Sequence, residues 1–299
     1  MIPRSTFSIV AVDPAAGEVG CAVQSRYFSV GLVVPWARAA VGAVATQAAG
    51  VAVYGTRALA ELEGGASPDE AVERVLAGDP GRETRQLGVV AADGRAAAFT
   101  GAECLDWAGH RTGPGYAVQG NIVAGEDVVD EMARAFEQTR GALAGRLVAA
   151  LEAGQAAGGD RRGQQSAALL VERAGAAAET REGIDRICDL RVEDHEQPIA
   201  ELRRLVGIWE GWEALRRSTG AYERRDYNAA ADLLLDAVAV RPDDGMLLYN
   251  LACCEALAGR HAPALEHLRR AFALDPSYRE LASGDGDLDP IREQLAALV

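Results

Sequence analysis

An apolar run from Thr6 to Val12 and a second from Val19 to Ser25 are separated only by Asp13-Pro14-Ala15-Ala16-Gly17. Both faces of the first run are small or apolar, with Phe7, Ile9 and Ala11 alternating with Ser8, Val10 and Val12. A strand with no polar face has to be covered on both sides, and so short a turn joins antiparallel neighbours. These residues therefore commit the chain to a sheet buried between two layers. A third run, AAVGAVATQA at 39–48, predicts another buried strand with close neighbours.

Helical patterning follows. Ala58, Leu59 and Leu62 share one face of a short helix, and Ser67-Pro68-Asp69-Glu70 opens a second with an N-cap and a proline at its first position. RQLGVVAADGRAAAFTG predicts a hairpin about Asp93-Gly94, and GYAVQGNIVAG one further strand. Helices are expected from Glu126 to about Thr139 and from Ala142 to Gln155, then strands in SAALLVER and IDRICDLRVED. Strands, two helices, strands, two helices and strands, joined mostly as hairpins, imply an α+β fold of two sheets stacked between helix layers. No G-x-G-x-x-G or Walker loop is present, and no cofactor site is expected.

The pattern changes after Pro198. A helical stretch leads to two matched segments in which Ala230 aligns with Ala264, Ala237 with Ala271 and Pro242 with Pro276, each 34 residues apart. That is the period of tetratricopeptide helix pairs. The expected organisation is a first domain over 1–197, a helical linker over 198–219 and an all-α tetratricopeptide-like domain over 220–299. One and a half repeats are few for independent stability. The segment is therefore expected to dock a protein or peptide partner, to pack on the first domain or to mediate homodimerisation. The closing Asp285-Gly286-Asp287 lacks calcium-loop spacing and reads as a solvated turn.

Composition narrows the function. Of 299 residues, 49% are hydrophobic, enough for two cores, and a formal net charge of −14 disfavours a nucleic-acid partner. All 30 basic residues are Arg. The five cysteines show no C-x-x-C spacing, so neither a disulfide framework nor a zinc site is expected. No segment approaches the roughly 18 apolar residues of a membrane span, and MIPRSTFSIV has no apolar leader core. The expectation is a cytoplasmic protein with no membrane partner.

Thr6 at the head of the first strand is the chemical candidate. A Thr whose own amine is free needs no separate base. Polar residues at other strand ends, Gln24-Ser25-Arg26, Thr46-Gln47-Ala48 and GGDRRGQQS, are placed to surround it. His110 beside Trp107 is a candidate pocket residue. His195 with Asp189 and Asp194 lacks the paired spacing of a metal site, and His261 and His267 read as surface residues on helices.

The motifs TFSIVAVDPAAGEVGCAVQSRYFSVG, VPWARAAVGAVATQA, DPGRETRQLGVV, WAGHRTGPGYAVQGNIVAG, LEAGQAAGGDRRGQQSAALLV and DLRVEDHEQP resemble the bacterial family called domain of unknown function 1028. That family is assigned to the N-terminal nucleophile hydrolase superfamily. The resemblance implies a four-layer αββα sandwich and hydrolysis of a small amide, with Thr6 as nucleophile once residues 1–5 are removed. By likeness to proteasome subunits it implies Gln24 in place of an acid, Ser25 beside it and Arg26 or Arg38 as the cation. Backbone N–H groups at Gln47 and Ala48 would form the oxyanion hole, Asn121 would be a donor, and Asp160 and Ser166 would support the amine. Each has a plainer reading: Arg26 and Arg38 as edge ion pairs, Asp160 as a turn cap, Asn121 as a left-handed turn residue. Many members carry Thr directly after the initiator Met, whereas here Ile2, Pro3, Arg4 and Ser5 precede Thr6. Self-cleavage before Thr6, a later start, and a non-catalytic binding scaffold all remain open.

Overall fold

The computed structural model describes residues 6–179, 183–296 and 298. The chain divides into two compact units, one ending at Val206 and the next beginning at Gly207. Among the described residues no helix is long and apolar enough to cross a membrane.

In the first unit, strands β1 (Thr6–Asp13) and β2 (Glu18–Ser25) pair in an unbroken register from Thr6↔Ser25 to Asp13↔Glu18. Every residue of both is buried except Asp13, whose Oδ1 accepts from the Ala15 and Ala16 amides and closes the turn. The buried strand expected in 39–48 is β4 (Gly42–Ala48), and it is preceded by an unforeseen partner, β3 (Pro35–Arg38), with which it forms a hairpin. Ala40 is left-handed at φ 60°, and Gly42 has φ 157° with Val90 O only 2.2 Å from where a Cβ would stand. That local backbone reversal leaves no trace in hydrophobic patterning.

Helices α1 (Val53–Glu63) and α2 (Pro68–Leu76) follow, α2 opened by the expected N-cap Ser67 and N1 proline, with Glu70 closing a capping box. Strands β5 (Arg85–Ala91) and β6 (Ala96–Thr100) form the Asp93-Gly94 hairpin. Next come β7 (Ala108–Gly113) and β8 (Tyr116–Asn121). The sequence predicted only β8; β7 is an edge strand of half-exposed residues and carries no apolar alternation. Helices α3 (Glu126–Gln138) and α4 (Leu143–Ala156), strand β9 (Ser166–Arg173), the short α5 (Ala176–Glu179) and β10 (Arg186–Val192) complete the order.

Two antiparallel sheets result, one ordered β10-β9-β2-β1-β8-β7 and the other β3-β4-β5-β6. Val10, Val12, Cys21 and Val23 of the first meet Ala43, Ala45 and Val90 of the second, and these modest side chains form the core between them. Leu59, Leu62, Val72 and Leu76 of α1 and α2 cover Val44, Leu87 and Val89. Helices α3 and α4 pack on each other, and α4 packs on β1 and β2. Burial of each Leu- or Val-sized side chain contributes about 1.5–3 kcal/mol, so these apolar layers, more than any ion pair, hold the unit together.

Helix α6 (Pro198–Glu223) runs unbroken through the division at Val206, where the sequence suggested a separate linker. In the second unit α7 (Tyr227–Val240), α8 (Gly245–Leu257), α9 (His261–Leu274) and α10 (Ser277–Gly284) follow. The first residues of α7 and α9, Tyr227 and His261, stand 34 apart, as do the last, Val240 and Leu274. Buried Ala230, Leu234 and Ala237 recur at the same offset as buried Ala264, Leu268 and Ala271. His267 departs from the surface placement expected of it: its Nδ1 lies 2.7 Å from Oε2 of buried Glu255.

Candidate functional site

Strands β1 and β9 begin, and β2 and β8 end, at one edge of the six-stranded sheet, and β4 ends facing it from the other sheet. In antiparallel pairs, directly opposed residues point to the same face. Thr6, Ser25 and Asn121 therefore share the face toward the second sheet. Thr6 Oγ1 and Ser25 Oγ lie 3.1 Å apart, with Thr6 only 2% exposed. A cavity of about 40 Å³, room for a water-sized group, opens there between Thr6, Ser25, Tyr27, Thr46, Gln47 and Ala48. Among the described residues lining it, none is charged.

Beneath Thr6 the two sheets are joined by neutral amides. Gln119 Nε2 donates to Ser8 Oγ at 2.6 Å, and Ser8 donates to Gln47 Oε1 at 2.5 Å. Gln47 Nε2 and Asn121 Nδ2 both donate to Gln86 Oε1, at 2.8 and 3.0 Å, with longer contacts to Thr6 O at 3.3 and 3.4 Å. Gln86 Nε2 reaches Gly120 O at 2.8 Å and Thr100 Oγ1 at 3.0 Å. Gly88 makes room for this amide, since a Cβ there would stand 2.1 Å from Gln119 Oε1 and push the side chain aside. A network of this kind fixes strand positions with no net charge and is costly to break. The residues after the two amides at Thr6 O, Ala48 (φ 64°) and Ile122 (φ 53°), are both left-handed, so backbone strain gathers at the site.

Asp160 ties the strand ends together. Its fully buried carboxylate accepts from Arg26 N at 2.9 Å and Arg162 N at 2.8 Å, while its backbone bridges Val123. Ser166 Oγ donates to Tyr27 O and accepts from Val30 N, shaping the loop that carries Tyr27 into the cavity.

The match over residues 6–202 is to the family described as "Family of unknown function (DUF1028)". The chain belongs to the DUF1028 family. It is also similar to the crystal structure of protein SPO2555 from Silicibacter pomeroyi, which is ascribed to DUF1028 as well. The identity is 34% and the TM-score 0.61, covering 68% of this chain and 88% of that one. Comparison with curated proteins returned no match.

Within this DUF1028 unit the structure gathers Thr6, Ser25, Gln47, Ala48, Asn121, Asp160 and Ser166, and leaves three expected residues apart. Gln24 opposes Phe7 and so faces away from Thr6, because strand alternation reverses direction at every residue; it is fully buried, with neither amide atom bonded among the described residues. Arg38 pairs with Glu63 beside Gly42, about 20 Å of strand from Ala48. Only the backbone of Arg26 joins the site, since its exposed side chain lies against Gly163. The expected cleavage between Ser5 and Thr6 falls outside the described residues.

His110 is not in the cavity. Its Nδ1 meets Thr100 Oγ1 at 2.8 Å, two bonds from the amide network, and burial and then Arg111 push its pKa down. Residues not foreseen are Ser8, Gln86 and Gln119, and the clamp on the cavity wall formed by Tyr54, Asp79 and Arg85. Arg85 donates to Ala49 O at 2.5 Å and to Asp79 at 2.8 Å, and Tyr54 OH donates to Asp79 at 2.7 Å. These bonds, Arg85 foremost, hold the Asp79 carboxyl far below the usual range. The available signal was a lone polar residue inside an apolar strand, as at Ser8 and Gln86.

Near His195, Asp189 is bonded by Arg186 and Arg191, and Asp194 by Gln165. Among the described residues, ligand atoms gather within metal-binding reach only at Cys253, Asp285 and Asp287 in the second unit. There Tyr249 and Tyr222 donate to Asp285 and Asp287, each at 2.8 Å, and tie down a partly buried turn rather than the solvated one expected.

Proposed function

We propose that the first unit is an N-terminal nucleophile amidohydrolase of the four-layer αββα type acting on a small amide, with Thr6 as nucleophile. The observation that carries this reading is the Thr6 hydroxyl, bonded to Ser25 at the head of the central strand and opening onto a cavity. Helices packed on the outer faces of two stacked sheets support the fold assignment. The 34-residue recurrence of buried positions supports a tetratricopeptide-like second unit, proposed as a docking surface for a protein or peptide or as a dimerisation element.

In the reaction, Thr6 Oγ1 bonds to the substrate carbonyl carbon while its proton passes to the Thr6 amine, freed by cleavage after Ser5. Ser25 Oγ orients the hydroxyl, and the N–H groups of the Gln47–Ala48 turn stabilise the oxyanion. Collapse breaks the C–N bond, and the leaving amine takes the proton. Water then hydrolyses the Thr6 ester, releasing the acid and restoring the hydroxyl. Asp160, holding Arg26 and Arg162, keeps this strand edge in place.

The uncharged cavity lining favours a second reading, a binding scaffold that retains the fold without catalysis. Intact mass of the purified protein and turnover of a panel of small amides by wild type, Thr6→Ser and Thr6→Ala separate the two. Loss of residues 1–5 with turnover abolished by Thr6→Ala supports the hydrolase. An uncleaved chain without turnover supports the scaffold.

A further inference from the structure

We infer that an open basin next to the Thr6 cavity recognises a carboxylate, the charged end of the amide whose hydrolysis is proposed above and on which this inference rests. Ser25 and Tyr27 line the cavity, and Arg26, between them in the chain, lines the basin. The basin encloses about 670 Å³ among Arg26, Gln164, Gln165, Asp194, His195 and Glu196.

Arg26 is its cation. Arg38, Arg85, Arg111, Arg186 and Arg191 are each ion-paired, whereas the Arg26 guanidinium has no acidic partner among the described residues. Its Nη1 rests against Gly163, 3.0 Å from where a Cβ would stand, and its backbone is anchored by buried Asp160. A guanidinium without an acidic partner presents a planar fork that matches a carboxylate with two parallel hydrogen bonds. The Gln164 and Gln165 amides offer further neutral donors.

The other charges limit the ligand. Asp194 is engaged by Gln165 Nε2 at 3.0 Å, and together with Glu196 it places two negative charges opposite one positive charge. Such a basin repels phosphates and other polyanions and tolerates a single carboxylate only at Arg26. Distance agrees as well. Arg26 follows Ser25, which pairs with Thr6, so the two Cα atoms stand about 6 Å apart, a span of about two extended residues. The substrate class is therefore a short amide ending in one free carboxylate, such as an N-acyl amino acid or small peptide.

The test compares N-acetylglycine with its neutral isostere N-acetylglycinamide by saturation-transfer NMR on the full chain. Wild type, Thr6→Ala, Arg26→Gln and Arg26→Lys are measured, with melting temperatures confirming that each is folded. N-acetylglycine is expected to bind wild type and Thr6→Ala about tenfold more tightly than the isostere. Arg26→Gln removes that preference, and Arg26→Lys keeps part of it. Equal binding of the two probes by wild type, a preference that survives Arg26→Gln, or no binding of either probe at tens of millimolar overturns the inference. Binding needs no Thr6 hydroxyl, so failure here is distinct from failure of the hydrolase reading, which turnover reports.

Discussion

Ser25 Oγ stands 3.1 Å from Thr6 Oγ1, the last residue of β2 facing the first residue of β1. Because the pair is buried, its geometry is set by the strand register and not by solvent. Ser25→Ala is expected to lower kcat of the proposed reaction about tenfold, the worth of one orienting hydrogen bond, with KM little changed. Steady-state kinetics on any amide turned over by wild type measures this. An unaltered kcat would take Ser25 out of the mechanism.

Gln86 is the hub of the amide network, accepting from Gln47 and Asn121 and donating to Gly120 O and Thr100. Gln86→Leu preserves volume and strands those partners in the core between the sheets. The expected loss is about 2–4 kcal/mol, read from urea unfolding. A loss of only a few tenths would mean that the partners re-pair among themselves.

Ala48 and Ile122 share a left-handed backbone, but glycine should affect them in opposite directions. Relief of left-handed strain is worth about 1–2 kcal/mol, against about 0.5–1 kcal/mol for the extra freedom glycine gives the unfolded chain. Ala48→Gly is therefore expected to raise stability by about 0.5–1 kcal/mol. Ile122→Gly also removes a buried side chain worth about 3 kcal/mol, and should lower it. Thermal melts of the two variants decide; a destabilised Ala48→Gly would show that the methyl packs usefully against the cavity.

Asp79 makes stability depend on acid. Its folded pKa is depressed by Arg85, Tyr54 and the Gly81 amide below the ordinary 3.8, so its contribution is complete above that value. That contribution fades as pH falls from about 4 toward the lower folded value, because the unfolded chain takes up the proton first. Wild type should therefore exceed Asp79→Asn in stability at pH 7, and the gap should narrow below pH 4. Chemical denaturation of both across that range tests this, and a gap independent of pH would contradict it. Since Arg85 also holds Ala49 O, Asp79→Asn should loosen the cavity wall as well.

Much of the fold was legible locally. The Thr6–Ser25 hairpin, the Ser67 N-cap with Pro68 and the 34-residue recurrence are each written in contiguous residues, and each is found in the structure. The β3–β4 hairpin was hidden because an alanine, not a turn residue, takes the left-handed corner at Ala40. Strand β7 was hidden because an edge strand need not alternate. At the site, strand ends pointed to Thr6, Ser25, Gln47, Asp160 and Ser166, and the family resemblance added Asn121. Gln24 and Arg38 were misjudged because nearness in sequence says nothing about which face, or which end of a strand, a side chain occupies.

The sequence by itself determined which segments pair and where helices start, since hydrophobic period, turn chemistry and capping act over a few residues. Only the tertiary structure decided what surrounds Thr6. Stacking one sheet on the other brings Gln47 and Gln86 over β1, and it selects one face of each strand as the site. That choice depends on how two layers bury their apolar surface together, a property of residues far apart in the chain.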